Sequence, residues 1–182
     1  MNPYQANPCL EFVEACMVNK IAVVGVGNLI LRDDGIGIHA IRLLEKTYHV
    51  DHSKVAITDA GTAGIYMAPV IETSSHIFVI DAVKLNAPPG TIKVFNEEEL
   101  KAASIHTRMS PHQVGILEIL ELCRLRLDNP PEIKFITMVP KEISPGTELS
   151  LEVQRKLPEL VEVIKQELEH IGISVPEALP NA

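Results

Sequence analysis

The hydrophobic positions of the chain fall into short continuous runs separated by segments with helical spacing. The runs KIAVVGVG (20–27) and SHIFVIDAV (75–83) are apolar and rich in β-branched residues. Such runs are typical of strands that are buried on both faces of a parallel sheet. The same reasoning predicts strands in KVAITD (54–59) and EIKFITMVP (132–140), and the alternation in TIKVFN (91–96) predicts an edge strand.

Segments with helical spacing lie between most of these strands. In DGIGIHAIRLLEKTYH (34–49), the residues Ile41, Leu44 and Tyr48 lie on one helical face. The other predicted helices are IYMAPVIE (65–72), NEEELKAA (96–103), SPHQVGILEILELCRLRL (110–127) and SLEVQRKLPELVEVIKQELEHIG (150–172). The third of these four begins with Ser110 and Pro111, and we expect Ser150 to cap the last one.

The alternation of strands and helices predicts a single α/β domain with a largely parallel sheet. We expect residues 20–173 to form this domain, residues 1–19 to be a flexible N-terminal extension and residues 174–182 to be a C-terminal tail. In such sheets the functional crevice lies outside the carboxyl ends of the strands. Candidate chemistry is therefore sought at the strand ends.

Composition narrows the classes of function. Of 182 residues only 4 % are aromatic, none is tryptophan, and the net charge is −8, so the sequence predicts no nucleic-acid binding. Three scattered cysteines fit a reducing cytoplasm better than a disulfide framework. No apolar run approaches the roughly 20 residues that span a bilayer, and the N-terminus lacks a basic signal-peptide region. We therefore expect a cytoplasmic protein without membrane insertion.

Acidic residues follow three of the predicted strands. Asp33 and Asp34 come after the first, Asp59 ends the second and Asp81 ends the third. Each also has a structural interpretation, since Asp33 or Asp34 suits the start of a helix and Asp59 suits a turn. Carboxylates that converge in a cleft must take up protons or share a cation. His112, fixed at a helix start, is the best-placed nitrogen donor, whereas the helical position of His39 directs it away.

The loop GVGNLILRDDGIG (25–37) resembles a phosphate-binding loop only in outline. A dinucleotide fingerprint needs a third glycine where Ile30 stands, and the chain has no Gly-Lys-Ser/Thr sequence. The two aspartates would also repel a phosphate at the helix start. The sequence therefore predicts no nucleotide cofactor. From the pattern alone it predicts a cation-binding crevice that suits a divalent first-row metal ion.

Five motifs in order resemble those of the [NiFe]-hydrogenase maturation endopeptidases. They are GVGNLILRDDGIG (25–37), DAGTAG (59–64), IDAV with a later PPGT (80–91), SPHQVG (110–115) and MVPKEISPGTELS (138–150). The resemblance covers about residues 20–172. It implies a twisted sheet between helices, in three layers. It also implies a cytoplasmic enzyme that removes the C-terminal extension of the hydrogenase large-subunit precursor after nickel insertion.

The resemblance also implies roles for individual residues. It assigns metal binding to Asp34, Asp81 and His112, with the nickel ion presented by the substrate. Family members have either Glu or Asp at the position of Asp34. Asp59 matches the acid of a family motif in which Ala60 here replaces a glycine. We take Asp34 and Asp59 as the candidate catalytic residues, and Asp33 keeps its helix-capping interpretation. The residues expected to contact the substrate are Gly27, Asn28, Gly61 and Thr62.

Two hypotheses for the mechanism stay open. Nickel acts either in recognition and in polarising the scissile bond, or in recognition alone, with Asp34 or Asp59 as the general base. An alternative from another class is a metal-binding chaperone or docking module that recognises the large subunit without cutting it. We expect a monomer.

Overall fold

The computed structural model describes residues 20–62, 67–104 and 111–178. Within them five strands form one sheet in the order β2-β1-β3-β5-β4. The strands are β1 (Lys20–Val26), β2 (Val55–Gly61), β3 (Ser74–Ala82), β4 (Ile92–Asn96) and β5 (Glu132–Met138). All neighbouring pairs are parallel except β4 and β5, which are antiparallel. The predicted strands are confirmed, and β4 is the edge strand that its alternation indicated.

Helices cover both faces of the sheet. They are α1 (Ile36–Thr47), α2 (Ala68–Thr73), α3 (Glu97–Ser104), α4 (Pro111–Arg124) and α5 (Leu151–His170), with a 3-10 helical turn, Arg32–Gly35, before α1. The apolar faces of α1 and α5 pack on one face of the sheet, and those of α2, α3 and α4 on the other. The predicted three-layer α/β architecture is confirmed.

Side chains of β3 show how each face is built. Phe78 and Ile80 pack with α1 and α5, whereas Ile77 and Val79 pack with α2 and α4. Because successive side chains of a strand point to opposite faces, the next odd-numbered residue, Asp81, belongs to the α2/α4 face. This alternation decides which helix each strand-end residue meets.

A glycine brings the start of α1 directly onto the strand ends. A Cβ atom on Gly37 would lie 2.1 Å from the carbonyl oxygen of Ile80 and 2.4 Å from that of Val26. Only a residue without a side chain fits between the helix and the ends of β1 and β3. The segment just before α1 is thereby held over the carboxyl edge of the sheet.

The chain after α5 returns to the end of α1. The His49 amide donates to the Pro176 carbonyl at 2.8 Å and the Ala178 amide donates to the Thr47 carbonyl at 2.9 Å. Val175 is buried in the core between these contacts. Residues 1–19 and 179–182 lie outside the described part of the chain. Across the described helices, no apolar segment is long enough to cross a membrane.

Candidate active site

Asp34 belongs to a tight loop that closes over the end of β1. A Cβ atom on Gly27, whose φ is 137°, would lie 1.9 Å from the main-chain oxygen of Asp34, so the loop requires glycine there. The Asn28 amide donates to Oδ2 of Asp34 at 3.0 Å, and the side chain of Asn28 accepts from the Ile30 amide at 3.1 Å. These contacts hold the buried Asp34 carboxylate at the carboxyl edge of the sheet.

Asp81 is the second buried carboxylate at this edge. It is fully buried near the end of β3, and its Oδ1 accepts from the amide of Ala82 at 2.7 Å. β1 and β3 are neighbours in the sheet, with Gly25 paired with Ile80. Asp34 therefore follows the end of β1, and Asp81 lies at the end of the adjacent strand β3, as the sequence predicted.

His112, the third predicted metal ligand, lies in the first turn of α4. Its side chain is outside the described part of the structure, so its contact with the two aspartates stays a prediction. The helix itself packs on the sheet face to which Asp81 belongs. Among the side chains that the structure describes, no group of three His, Cys, Asp or Glu residues has a metal-binding arrangement.

Asp59 lies at the same edge but on the other face of the sheet. It belongs to the exposed residues, and its Oδ2 lies 3.4 Å from Nη2 of Arg42 on α1. Its Oδ1 accepts from the amide of Gly61 at 3.0 Å, which is the turn interaction that the sequence allowed. Asp59 thus shares a strand edge with Asp81 and points to the opposite helical layer.

The predicted substrate-contacting residues surround the β1 and β2 ends. The Gly27 amide donates to the Gly61 carbonyl at 2.9 Å, which joins the two loops. Gly61 has a φ of 51°, and Thr62 is exposed. The rest of the DAGTAG motif, residues 63 and 64, lies outside the described residues.

The helix-capping prediction for Asp33 is wrong. Its fully buried carboxylate accepts from the amides of Lys141 (2.9 Å), Glu142 (3.0 Å) and Ser150 (2.7 Å), and from the Ser150 hydroxyl (2.8 Å). Ser150 does stand at the N-cap position of α5, but its side chain makes no capping bond because its hydroxyl is committed to Asp33. Asp33 therefore ties the Asp34 loop to the segment before α5.

Arg42, Arg32 and His39 have contacts or conformations that the sequence pattern did not predict. Arg42 pairs with Asp59, and Arg32 has the left-handed φ of 48° beside the Asp34 loop. The buried Nε2 atom of His39 has no hydrogen-bond partner among the described residues. Burial, and then the charge of Arg42, lower the pKa of His39, which therefore favours the neutral form.

Comparison with known proteins assigns this architecture. The family model described as hydrogenase maturation protease matches residues 38–167. The hydrogenase 2 maturation protease of Escherichia coli (strain K12) is 31 % identical over 164 residues, which is 89 % of this chain and 96 % of that protein.

Solved structures agree with the sequence match. The hydrogenase maturating endopeptidase HybD from E. coli superposes with a TM-score of 0.79 at 28 % identity, covering 87 % of this chain and 97 % of that one. The [NiFe] hydrogenase maturation protease HybD from Thermococcus kodakarensis gives 0.70 at 28 % identity, covering 81 % and 98 %. Sequence match and shared fold together confirm the resemblance seen in the motifs, and the chain belongs to the hydrogenase maturation protease family of endopeptidases.

Proposed function

We propose that this protein removes the C-terminal extension of a [NiFe]-hydrogenase large-subunit precursor after nickel has been inserted. The observation that carries the proposal is the pair of buried carboxylates, Asp34 and Asp81, at the ends of the adjacent strands β1 and β3. Two carboxylates in one crevice favour a cation. The helix that begins at Pro111 and includes His112 packs on the sheet face to which Asp81 belongs, which supports His112 as the third ligand.

The cation in this proposal is the nickel carried by the precursor. Two carboxylate oxygens and one imidazole form a donor set that suits a divalent first-row metal ion with open positions. The open positions belong to ligands from the precursor itself. Nickel is thereby part of the substrate, and its capture by Asp34, Asp81 and His112 fixes the scissile bond against the crevice.

Hydrolysis adds the hydroxyl of a water molecule to the scissile carbonyl carbon and a proton to the leaving amine. In one version nickel polarises the carbonyl or activates the water. In the other, nickel serves recognition alone and Asp34 or Asp59 takes the proton from water as general base. The opposite orientations of Asp59 and Asp81 support a division of labour in which Asp59 does not bind the metal.

The first experiment is incubation of the protein with nickel-loaded precursor, followed by mass spectrometry of the large subunit. We expect the mass to fall by that of the extension, and we expect no change when nickel is omitted. An unchanged mass with a stable complex would favour the alternative, a metal-binding docking module that does not cut. Cleavage without nickel would refute the recognition role.

Substitution of the ligands tests the donor set. Asp34→Asn and Asp81→Asn keep the side-chain shape while removing the charge, and His112→Ala removes the imidazole. We expect each variant to lower kcat/KM by more than about 100-fold, above the loss typical of residues that only orient a ligand. If any of the three variants has the wild-type kcat/KM, the residue substituted in that variant is not part of the site.

Asp59→Asn distinguishes the two mechanisms. Asp51→Asn is a matched control, because Asp51 also accepts a turn bond, from the Ser53 amide at 3.0 Å, and pairs with a cation, Lys54, at 3.4 Å. We expect Asp51→Asn to cut normally. Loss of cleavage by Asp59→Asn with nickel-dependent binding intact would favour the general-base role, and full activity would refute it.

We also propose that the reaction takes place in the cytoplasm and that the protein acts as a monomer. Cys123 is buried without a disulfide partner among the described residues, and the three scattered cysteines of the sequence favour a reducing compartment. Analytical ultracentrifugation of the purified protein tests the monomer, and a stable dimer at micromolar concentration would contradict it.

A further inference from the structure

Arg32 has an unusual conformation next to the Asp34 loop. Its φ of 48° makes it the one residue other than glycine with a left-handed backbone in the described part of the chain. Residues with a Cβ atom adopt this region at an energetic cost, and such outliers concentrate at functional sites. Its Nε is buried without a hydrogen-bond partner among the described residues, which is a second cost on the same side chain.

Internal contacts of the Arg32 side chain do not explain these costs. Its ion pair with Glu142 is long, 3.7 Å from Nε to Oε1, and the two side chains are 37 % and 50 % exposed, so the pair contributes little. The same Glu142 oxygen accepts from the Ser144 hydroxyl at 2.5 Å. The backbone amide of Arg32 donates a hydrogen bond to the Gly146 carbonyl at 2.8 Å, but a residue of any type would make this bond.

Two exposed isoleucines lie on the segments that adjoin Arg32. Ile30, 65 % exposed, lies on the same loop, and its carbonyl accepts from the Gly146 amide at 3.0 Å. Ile143, 37 % exposed, lies on the facing segment, which is joined to the loop by the bond from the Asp33 amide to the Glu142 carbonyl. Arg32, two residues before Asp34, thus lies between two joined loops that each carry an exposed isoleucine, in a protein of net charge −8.

We propose that Arg32 is a specificity-determining residue that binds an acidic side chain of the precursor close to the scissile bond. Ile30 and Ile143 take the apolar side chains beside that acidic residue. A guanidinium pairs with a carboxylate through parallel N–H bonds, and the exposed part of the Arg32 side chain, 37 % of its surface, is open to such an acceptor from the precursor. The inference rests on the proposed function, since it names part of the substrate of that site.

Three substitutions test the role of Arg32 in cleavage of the nickel-loaded precursor. Arg32→Gln removes the charge, and Arg32→Lys keeps the charge but loses the planar guanidinium that makes two parallel hydrogen bonds. Arg32→Asn introduces a residue that tolerates the left-handed region. We expect Arg32→Gln to raise KM at least about 10-fold with kcat changed less than about 2-fold, which is the pattern of lost binding. We expect the KM of Arg32→Lys to lie between that of Arg32→Gln and that of the wild type.

Stability measurements separate recognition from a structural role. We expect Arg32→Asn to unfold at the same temperature as the wild type or higher, while its KM rises as in Arg32→Gln. Arg126→Gln is the matched control, because Arg126 pairs with Glu72 at 3.2 Å among the helices of the other face. We expect this control to leave KM unchanged.

The precursor provides the complementary test. Each acidic residue flanking its cleavage site is changed to the corresponding amide, and we expect one such change to raise KM for the wild type but not for Arg32→Gln. A KM for Arg32→Gln equal to the wild-type value overturns the inference alone, as does a lower unfolding temperature of Arg32→Asn with unchanged KM. A wild-type protein that does not cut the precursor refutes the proposed function and the inference with it.

Discussion

Asp33→Asn tests the internal support of the site. In the structure Oδ2 of Asp33 accepts three hydrogen bonds, from the Lys141 and Glu142 amides and the Ser150 hydroxyl, while Oδ1 accepts one from the Ser150 amide. An asparagine has one oxygen and one NH₂ group. Even in its better orientation, it retains three bonds and turns the NH₂ group toward the Ser150 amide, which is itself a donor.

The expected loss follows from these four bonds. Hydrogen bonds to a charged group contribute about 1.5–3 kcal/mol each and neutral ones about 0.5–1.5, so three bonds each weaken by roughly 1 kcal/mol. The unsatisfied Ser150 amide adds about 1–3 kcal/mol. Because such terms are not additive, we expect a loss of about 3–5 kcal/mol in the free energy of unfolding, or roughly 10 °C in Tm for a domain of this size.

Urea denaturation of Asp33→Asn, Ser150→Ala and the wild type measures this loss. Ser150→Ala removes one of the four bonds and should cost about 1–2 kcal/mol. Asp51→Asn, at a half-exposed turn, should stay within about 0.5 kcal/mol of the wild type. A loss below about 1 kcal/mol for Asp33→Asn would refute the reasoning, and so would full additivity with Ser150→Ala in the double variant.

Two further predictions concern α1. Gly37→Ala should cost more than about 3 kcal/mol in urea denaturation, because its Cβ atom would lie 2.1 Å from the Ile80 carbonyl oxygen and 2.4 Å from that of Val26; a Tm within 2 °C of the wild type would contradict this. Because burial and Arg42 lower the folded-state pKa of His39, the stability contributed by its neutral form is lost as pH falls below its ordinary value of 6.5. His39→Gln should flatten the pH dependence of Tm between about pH 5 and 7, and an unchanged slope would exclude this contribution.

The sheet could be predicted because its signal is local. β1 and β3 are buried on both faces, so their apolar runs stand out, and the predicted bounds differ from Lys20–Val26 and Ser74–Ala82 by one residue. The same run places Asp81 at a strand end. The position of Asp34 follows from the glycines around it and from the family resemblance.

The remaining features of the site depend on contacts that are distant in sequence. Asp33 and Asp34 look equivalent as neighbours, and the carboxylate of Asp33 finds its partners 108 to 117 positions away. No local pattern indicates such a pairing. The left-handed conformation of Arg32 could not be predicted from the sequence either, because this conformation is typical of glycine. Ser150 was placed correctly at the helix start, but its hydroxyl has another use.

The bonds between Asp33 and the segment before α5 also set an order of events during synthesis. The Asp34 loop is synthesised more than 100 residues before Ser150, the last partner of Asp33. Until then the four bonds that fix this loop are absent, and contacts so distant in sequence form late in folding. A chain shortened before α5 would carry both crevice aspartates without a rigid crevice, so we expect proteolytic competence to arise only once the C-terminal third of the polypeptide has been made.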